Sequence, residues 1–273
     1  MATVLAMSSQ VVRGHVGLSA IVPVLQRLGH DVWPMPTIVL SNHPGHSQTA
    51  ATQSPVGALS GMLDALDANG WLASIDAVLT GYMPSVEHVR VAAQAIERVQ
   101  KRRPDAVVLV DPIMGDDPKG LYIDSNAAIA IRDQLLPLAS NITPNRFELA
   151  WLTASNVHTV ADAIAAARCL SVRSVIATSI HDGPERLANV AVEGDVTHIC
   201  RVEKLPDAPH GTGDMLSALY LGIWLRGMPA TALGQAVAGV AHVVAASRGH
   251  GELQLVQALD GAIAARPLPT SIA

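Results

Sequence analysis

Short apolar runs of strand length alternate with longer segments of helical spacing along almost the whole chain, and this alternation restricts the fold more than any other feature. The first run, TVLAMS (3–8), reads as a buried strand. From His15 to Leu28, the residues Val16, Leu18, Ile21, Val24, Leu25 and Leu28 lie near helical spacing, and Gly29 supplies a stop. WPMPTIVL (33–40) is a second strand candidate whose prolines suit a sheet edge or an irregular entry. A polar loop over 41–55 leads to a helix at 56–66, a strand ending in a turn at 75–82 and a helix at 85–102. AVVLVDP (106–112) is the clearest buried strand, an apolar run closed by Asp111-Pro112.

The second half keeps the rhythm. NITP (141–144) is a short strand end, RFELAWL (146–152) begins a helix, 161–170 is an alanine-rich helix and SVIATS (174–179) a strand. Residues 187–194 and 196–203 form a hairpin around Gly194-Asp195. Helices follow at about 213–226, 229–247 and 252–265, and RPLPTSIA reads as a loose tail. Without an internal repeat or a break in composition, the expectation is one domain over residues 1–273, with a mainly parallel sheet covered on both faces. Ligands of such sheets sit beyond the carboxyl ends of the strands. The polar residues of interest therefore follow strands: Ser9, the Asn42-His43 loop, Tyr82, Asp111, Thr143 to Glu148, and Thr178-Ser179.

Composition narrows the function classes. With 49% hydrophobic and 15% charged residues the chain can build a large core. Its net charge of -5, with no basic block, argues against a nucleic-acid surface. Cys169 and Cys200 have neither metal nor redox spacing and read as two ordinary thiols in a reducing compartment. No signal peptide is expected at the start, and no apolar run approaches the roughly 20 residues of a membrane helix. A cytoplasmic protein without membrane contact is the expectation.

The stretch PHGTGDMLSALYLG (209–222) carries the most chemistry. Gly211 and Gly213 permit close backbone approach, and the helix that follows opens with unpaired amides, so the segment suits an anion such as phosphate. A carboxylate at Asp214 would repel that anion, yet it can accept the proton of a hydroxyl that attacks phosphorus. The alternative is that Asp214 only favours the first helical turn. Asp111 and Glu148, at two strand–helix junctions, can hold Mg²⁺ through water, or can cap helices and pair with Lys119 and Arg146. GxxxxGK[ST], GxGxxG after the first strand and HExxH are absent, and His43 with His46 lacks further ligands for zinc.

The ordered set SSQVVRGHVGLSA (8–20), VWPMPTIVLSNHPGH (32–46), LTGYMPS (79–85), DPIMGDDPKG (111–120), ITPNRFELAWL (142–152) and PHGTGDMLSALYL (209–221) resembles the pyridoxal kinases of the ribokinase superfamily over nearly the whole chain. The resemblance implies a ribokinase-like three-layer α/β/α fold and ATP-dependent phosphorylation of the 5′-hydroxyl of pyridoxal, pyridoxine or pyridoxamine. It makes Asp214 the base and Gly211, Thr212 and Gly213 the anion hole. It sets Asp111, Thr143, Glu148, Thr178 and Ser179 around the nucleotide, with Mg²⁺ held by Asp111 and Glu148 through water. Ser9, Val16, His43 and Tyr82 would surround the B₆ vitamer. It further implies a homodimer and a response to a monovalent cation such as K⁺. Gln10, Leu40 and Pro44 depart from the family pattern, all on the vitamin side. Two other readings stand beside this one: a kinase of another hydroxymethyl compound such as hydroxymethylpyrimidine, and a non-catalytic vitamer-binding protein. Residues 115–120 and 201–210 are candidate lids.

Overall fold

Val107–Val110 is buried at all four positions, which a strand permits only when both sheet faces are covered. The computed structural model describes residues 1–205 and 208–273. Its first half runs β1 (Thr3–Val11), α1 (Leu18–Arg27), β2 (Asp31–Leu40), β3 (Ala51–Gln53), α2 (Val56–Ala68), β4 (Ala77–Thr80), α3 (Val86–Arg102) and β5 (Val107–Val110). A two-stranded flap, β6 (Gly115–Asp116) and β7 (Gly120–Leu121), precedes α4 (Ser125–Ala130), β8 (Asn141–Ile142), α5 (Arg146–Thr153) and α6 (Val160–Arg168). Then come β9 (Ser174–His181), β10 (Arg186–Glu193), β11 (Val196–Glu203), α7 (Thr212–Leu225), α8 (Pro229–Ala246), α9 (Leu255–Ala264) and β12 (Thr270–Ile272).

Among the described residues the main sheet has ten strands in the order β12-β11-β10-β9-β8-β5-β4-β1-β2-β3. The six from β9 to β2 are parallel, and antiparallel strands extend both edges. Alternation along each parallel strand feeds two cores. Leu5, Met7, Val78, Val108 and Val110 point into the layer of α2 to α6. Val4, Ala6, Ala77, Leu79, Val107 and Leu109 point into the layer of α1, α7, α8 and α9. The result is the three-layer α/β/α architecture expected from the alternation.

Four expectations need correction. The segment RPLPTSIA is not a loose tail, because Thr270–Ile272 pairs with Cys200, Ile199 and His198 at the sheet edge. Helix α1 begins at Leu18 rather than His15, because Gly17 takes φ 55° and turns the chain just before it. Of the two readings of the β2 prolines the edge strand fails and the irregular entry stands: β3 covers β2 only at Ile38–Leu40, the register with β1 shifts opposite Pro36, and Pro34 and Pro36 fall on the stretch that β3 leaves bare, where a missing N–H costs nothing. Finally, α8 has 18 residues with mean hydropathy 1.3, enough by length and composition to cross a membrane, yet half of it is buried inside this fold. It packs between α7 and α9, so core packing accounts for its apolar character.

Candidate active site

The start of α7 separates two environments. Gly211 has φ 98°, and a Cβ there would stand 2.0 Å from the carbonyl oxygen of His15, so only glycine fits this turn. Among the described residues, the amides of Thr212, Gly213 and Asp214 donate to no backbone carbonyl. Beside Gly213, no atom of the described residues lies within 4 Å of an added Cβ. These amides carry the positive end of the helix dipole.

Asp214, in the first turn of α7, is 8% exposed, and its Oδ1 has no hydrogen-bond partner among the described residues. Burial raises its pKa to about 6, offset in part by the amides of Gly17 and of Asp214 itself. A buried carboxylate oxygen without a donor is costly in a purely structural role. It suits a group that takes a proton near neutral pH.

Asp111 follows β5 and Glu148 lies in α5, both buried. Ser217 donates from Oγ to Asp111 Oδ2 at 2.8 Å. That leaves the hydroxyl of Thr143, 2.8 Å away, to donate to Ser217. Burial first, then the charge of Asp214, pushes the Asp111 carboxyl well above its ordinary range. Burial and the charge of Asp111 do the same to Glu148. Glu148 also realises its structural alternative. It completes a capping box with Asn145, accepting from the Asn145 amide at 2.8 Å, and it accepts from the Met114 amide at 3.0 Å. Arg146 pairs with Asp117 instead, and Lys119 makes no ion pair among the described residues. No three His, Cys, Asp or Glu side chains among the described residues form a metal cage. Two crowded carboxylates that disfavour each other's charge nevertheless fit Mg²⁺ brought in by nucleotide phosphates.

A cavity of about 180 Å³ is lined by Thr143, Thr178, Ser179, Thr212 and Gly213 together with apolar Leu187, Val202, Leu205, Val237, Val240 and Val244. Ser179 enters it through strain. Its φ is 59°, and Thr178 and Ser179 together face Asn189 at a β-bulge between β9 and β10. The bulge redirects this strand end towards the start of α7.

A second set of residues gathers around Gly17, whose amide acts on Asp214. A Cβ on Gly17 would meet the carbonyl oxygen of Ser9 at 2.2 Å and its Oγ at 2.4 Å, so Gly17 lies directly on Ser9 while its amide serves Asp214. Val16 and Tyr82 pack on Val11, Ile38 and Leu40 in a small apolar cluster of their own. His43, on the loop after β2, stacks on His210 with ring centroids 3.7 Å apart.

Of the site residues expected from the sequence, Thr143, Thr178, Ser179, Thr212 and Gly213 line the one cavity, Asp111 joins Thr143 through Ser217, and Val16 and Tyr82 share a separate apolar cluster. Four participants were missed. Ser217, one turn into α7, looked like core. Gly17 was read as part of the helical segment starting at His15, so its turn gave no signal. His210 was read only as the end of a candidate lid and the residue before the glycines. Tyr122 lies in the unassigned stretch after the flap; its side chain is half exposed, and partial shielding of the phenol, then the charges of Glu148, Asp111 and Asp214, push its ionisation up. Of the candidate lids, 115–120 is the β6–β7 flap, whereas Pro206 and Asp207 of the second lie outside the described residues.

The fold is that of a class of kinases of small alcohols, and its helix start combines amides that meet no backbone carbonyl among the described residues with a buried carboxylate. The comparisons agree. The model of the family described as phosphomethylpyrimidine kinase matches residues 52–254. Pyridoxal kinase PdxY of Deinococcus radiodurans is 38% identical over 235 residues, covering 82% of this chain and 79% of the relative. A pyridoxine/pyridoxal/pyridoxamine kinase of Bordetella avium is 38% identical over 221 residues, covering 79% of this chain and 75% of the relative. Pyridoxal kinase from Leishmania donovani, solved in complex with ADP and pyridoxamine, superposes with a TM-score of 0.93 at 27% identity over 100% of this chain and 99% of that one. The chain belongs to the pyridoxal kinase family.

Proposed function

We propose that this chain phosphorylates B₆ vitamers at the 5′-hydroxyl, using ATP and releasing ADP, with Asp214 as general base. One observation carries the role of Asp214: its carboxylate is buried, lacks a partner at Oδ1 among the described residues and stands at the head of a helix whose first amides meet no backbone carbonyl among them. The acceptor hydroxyl gives its proton to Asp214 as its oxygen attacks the γ-phosphorus, and the bond from that phosphorus to the β,γ-bridging oxygen breaks. Amides of residues 211–213 absorb charge on the transferring group, in a geometry that exists before the substrate arrives. The triphosphate and base occupy the cavity of Thr143, Thr178 and Ser179. The vitamer ring lies between Ser9, Val16, His43 and Tyr82, where Tyr82 offers an aromatic face.

Asp111 and Glu148 are the residues to hold Mg²⁺, through water. When bound with the nucleotide it would neutralise part of the phosphate charge. A response to K⁺, a homodimeric assembly and a cytoplasmic location complete the reading. The free thiols of Cys169 and Cys200 are consistent with that compartment.

The test is ADP release by purified protein with Mg²⁺, with and without K⁺, against a panel of the three vitamers, hydroxymethylpyrimidine and simple sugars. Turnover confined to the vitamers is expected. Preference for hydroxymethylpyrimidine would move the acceptor assignment, and vitamer binding without ADP release would remove the enzyme.

A further inference from the structure

Residues 41–50 form a loop that braces itself. The Asn42 side-chain amide donates to the carbonyls of His43 at 3.1 Å and Gln48 at 3.0 Å and to the Thr49 hydroxyl at 3.1 Å. Ser41 and Ala50 close its base, with the Ser41 amide donating to the Ala50 carbonyl at 2.8 Å and the Ala50 amide to the Ser41 hydroxyl at 3.0 Å. Such a loop moves as one piece, so what docks it matters. It continues directly from Leu40, part of the apolar wall around Tyr82.

Its contact with the phosphate side is a pair of imidazoles. The rings of His43 and His210 lie 3.7 Å apart, inclined by 20°. The Gly45 amide donates to His43 Nδ1 at 3.0 Å. An added Cβ on Gly45 would stand 3.0 Å from that nitrogen and 3.2 Å from His210 Nε2, so the loop backbone closes against both rings. His210 immediately precedes Gly211, whose backbone is wedged against His15, so its ring springs from an anchored point. The bond from Gly45 also fixes chemistry: Nδ1 must offer a lone pair, which makes His43 neutral with its proton on Nε2.

We propose that the stacked rings of His43 and His210 are a latch that docks the 41–50 loop onto the entrance of the anion hole and so positions the acceptor alcohol beside Asp214. The assignment rests on the acceptor reading above and gives His210 a positioning role. Surrounding groups act on the same contact. Burial, then the rings and charges of His210, Lys119 of the flap and His46 of the loop, lower the pKa of His43 to about 4. Asp116 of the flap faces His210, and Glu252, beyond α8, holds His46 at 3.4 Å and pairs with Arg13. Protonation of His43 would remove the acceptor of the Gly45 amide and add a positive charge to this group. The latch is therefore complete in neutral solution and loosens as the pH falls below the ordinary histidine range.

The experiment compares wild type, His210→Ala and His210→Phe. At neutral pH, His210→Ala is expected to raise KM for pyridoxal by about five- to tenfold, the factor a stacked ring pair supplies, with KM for ATP changed by less than about twofold. His210→Phe, which keeps a ring face, should restore most of the acceptor KM. Imidazole ¹⁵N spectra of the substrate-free proteins give a second readout. His43 should keep its Nε2-H form to about pH 5 in the wild type and titrate closer to 6.5 in His210→Ala. Unchanged pyridoxal KM in His210→Ala, equal rises for both substrates, or an unmoved His43 titration would overturn the latch. Should the wild type phosphorylate no vitamer, the acceptor reading fails, and the spectra still judge the latch by themselves.

Discussion

Thr143 and Asp111 are joined through a single hydroxyl, that of Ser217, at 2.8 Å on each side. The link ties the end of β8 and the end of β5 to the second turn of α7, so the nucleotide side and the anion hole share one rigid connection. Ser217→Ala would strand a buried carboxyl and a buried threonine hydroxyl. A loss of about 1–3 kcal/mol in stability is expected, with KM for ATP rising and KM for the vitamer unaffected. Chemical denaturation and steady-state kinetics check both parts, and an unaltered KM for ATP would disconnect the triad from nucleotide binding.

Asp214→Asn preserves shape and removes the proton acceptor. A fall in kcat of at least about 10²-fold is expected while ATP binding survives. Titration calorimetry with a non-hydrolysable ATP analogue separates the two effects, and near-normal turnover would end the role of Asp214 as base.

The pH profile should report the same group. The base is active when ionised, and burial sets its pKa at about 6. In the wild type kcat/KM should therefore fall on the acid side, approaching tenfold per pH unit below about 6. A profile flat down to pH 4.5 would mean that a different group limits the reaction.

Gly211→Ala tests the turn before the anion hole. A non-glycine residue at φ 98° is strained by about 1–2 kcal/mol, and its methyl would press on the His15 carbonyl at 2.0 Å. The expected result is a lower thermal midpoint together with a kcat loss larger than the change in KM for the vitamer. Wild-type stability would show that the turn relaxes freely.

Ligand-free protein should gain stability as the pH falls from about 8 to 6.5. The pKa values of Asp111, Glu148 and Asp214 are raised in the fold above the ordinary 3.8 and 4.5. Their contribution is complete below those unfolded values and is lost as the pH rises through the folded ones. His43, shifted down, works in the opposite sense and only below about 6.5. Scanning calorimetry across this window should show a rising midpoint on acidification, with a smaller slope in Asp111→Asn. An equal slope in the variant would exclude Asp111 as a source.

The parallel core of the fold was legible because strands buried on both faces read as continuous apolar runs, as in Val107–Val110. The edges were not. Thr270–Ile272 is a fully exposed strand stabilised by pairing with β11, and nothing in its own side chains announces it. The carboxylates were legible because each ends a recognisable strand or opens a helix. Ser217, Gly17 and His210 were not, because their importance lies in partners 106, 8 and 167 positions away in the chain, Asp111, Ser9 and His43.

By itself, the sequence determined the layering, the order of elements and the chemical types gathered at strand ends, since periodicity and glycine placement act locally. Only the tertiary structure decided that Asp214 lacks a partner at Oδ1 among the described residues, that Asp111 and Glu148 resist ionisation and that two histidines from distant loops stack. Those properties depend on exclusion of water and on distances between remote segments, which exist once the sheet and its two helical layers have closed.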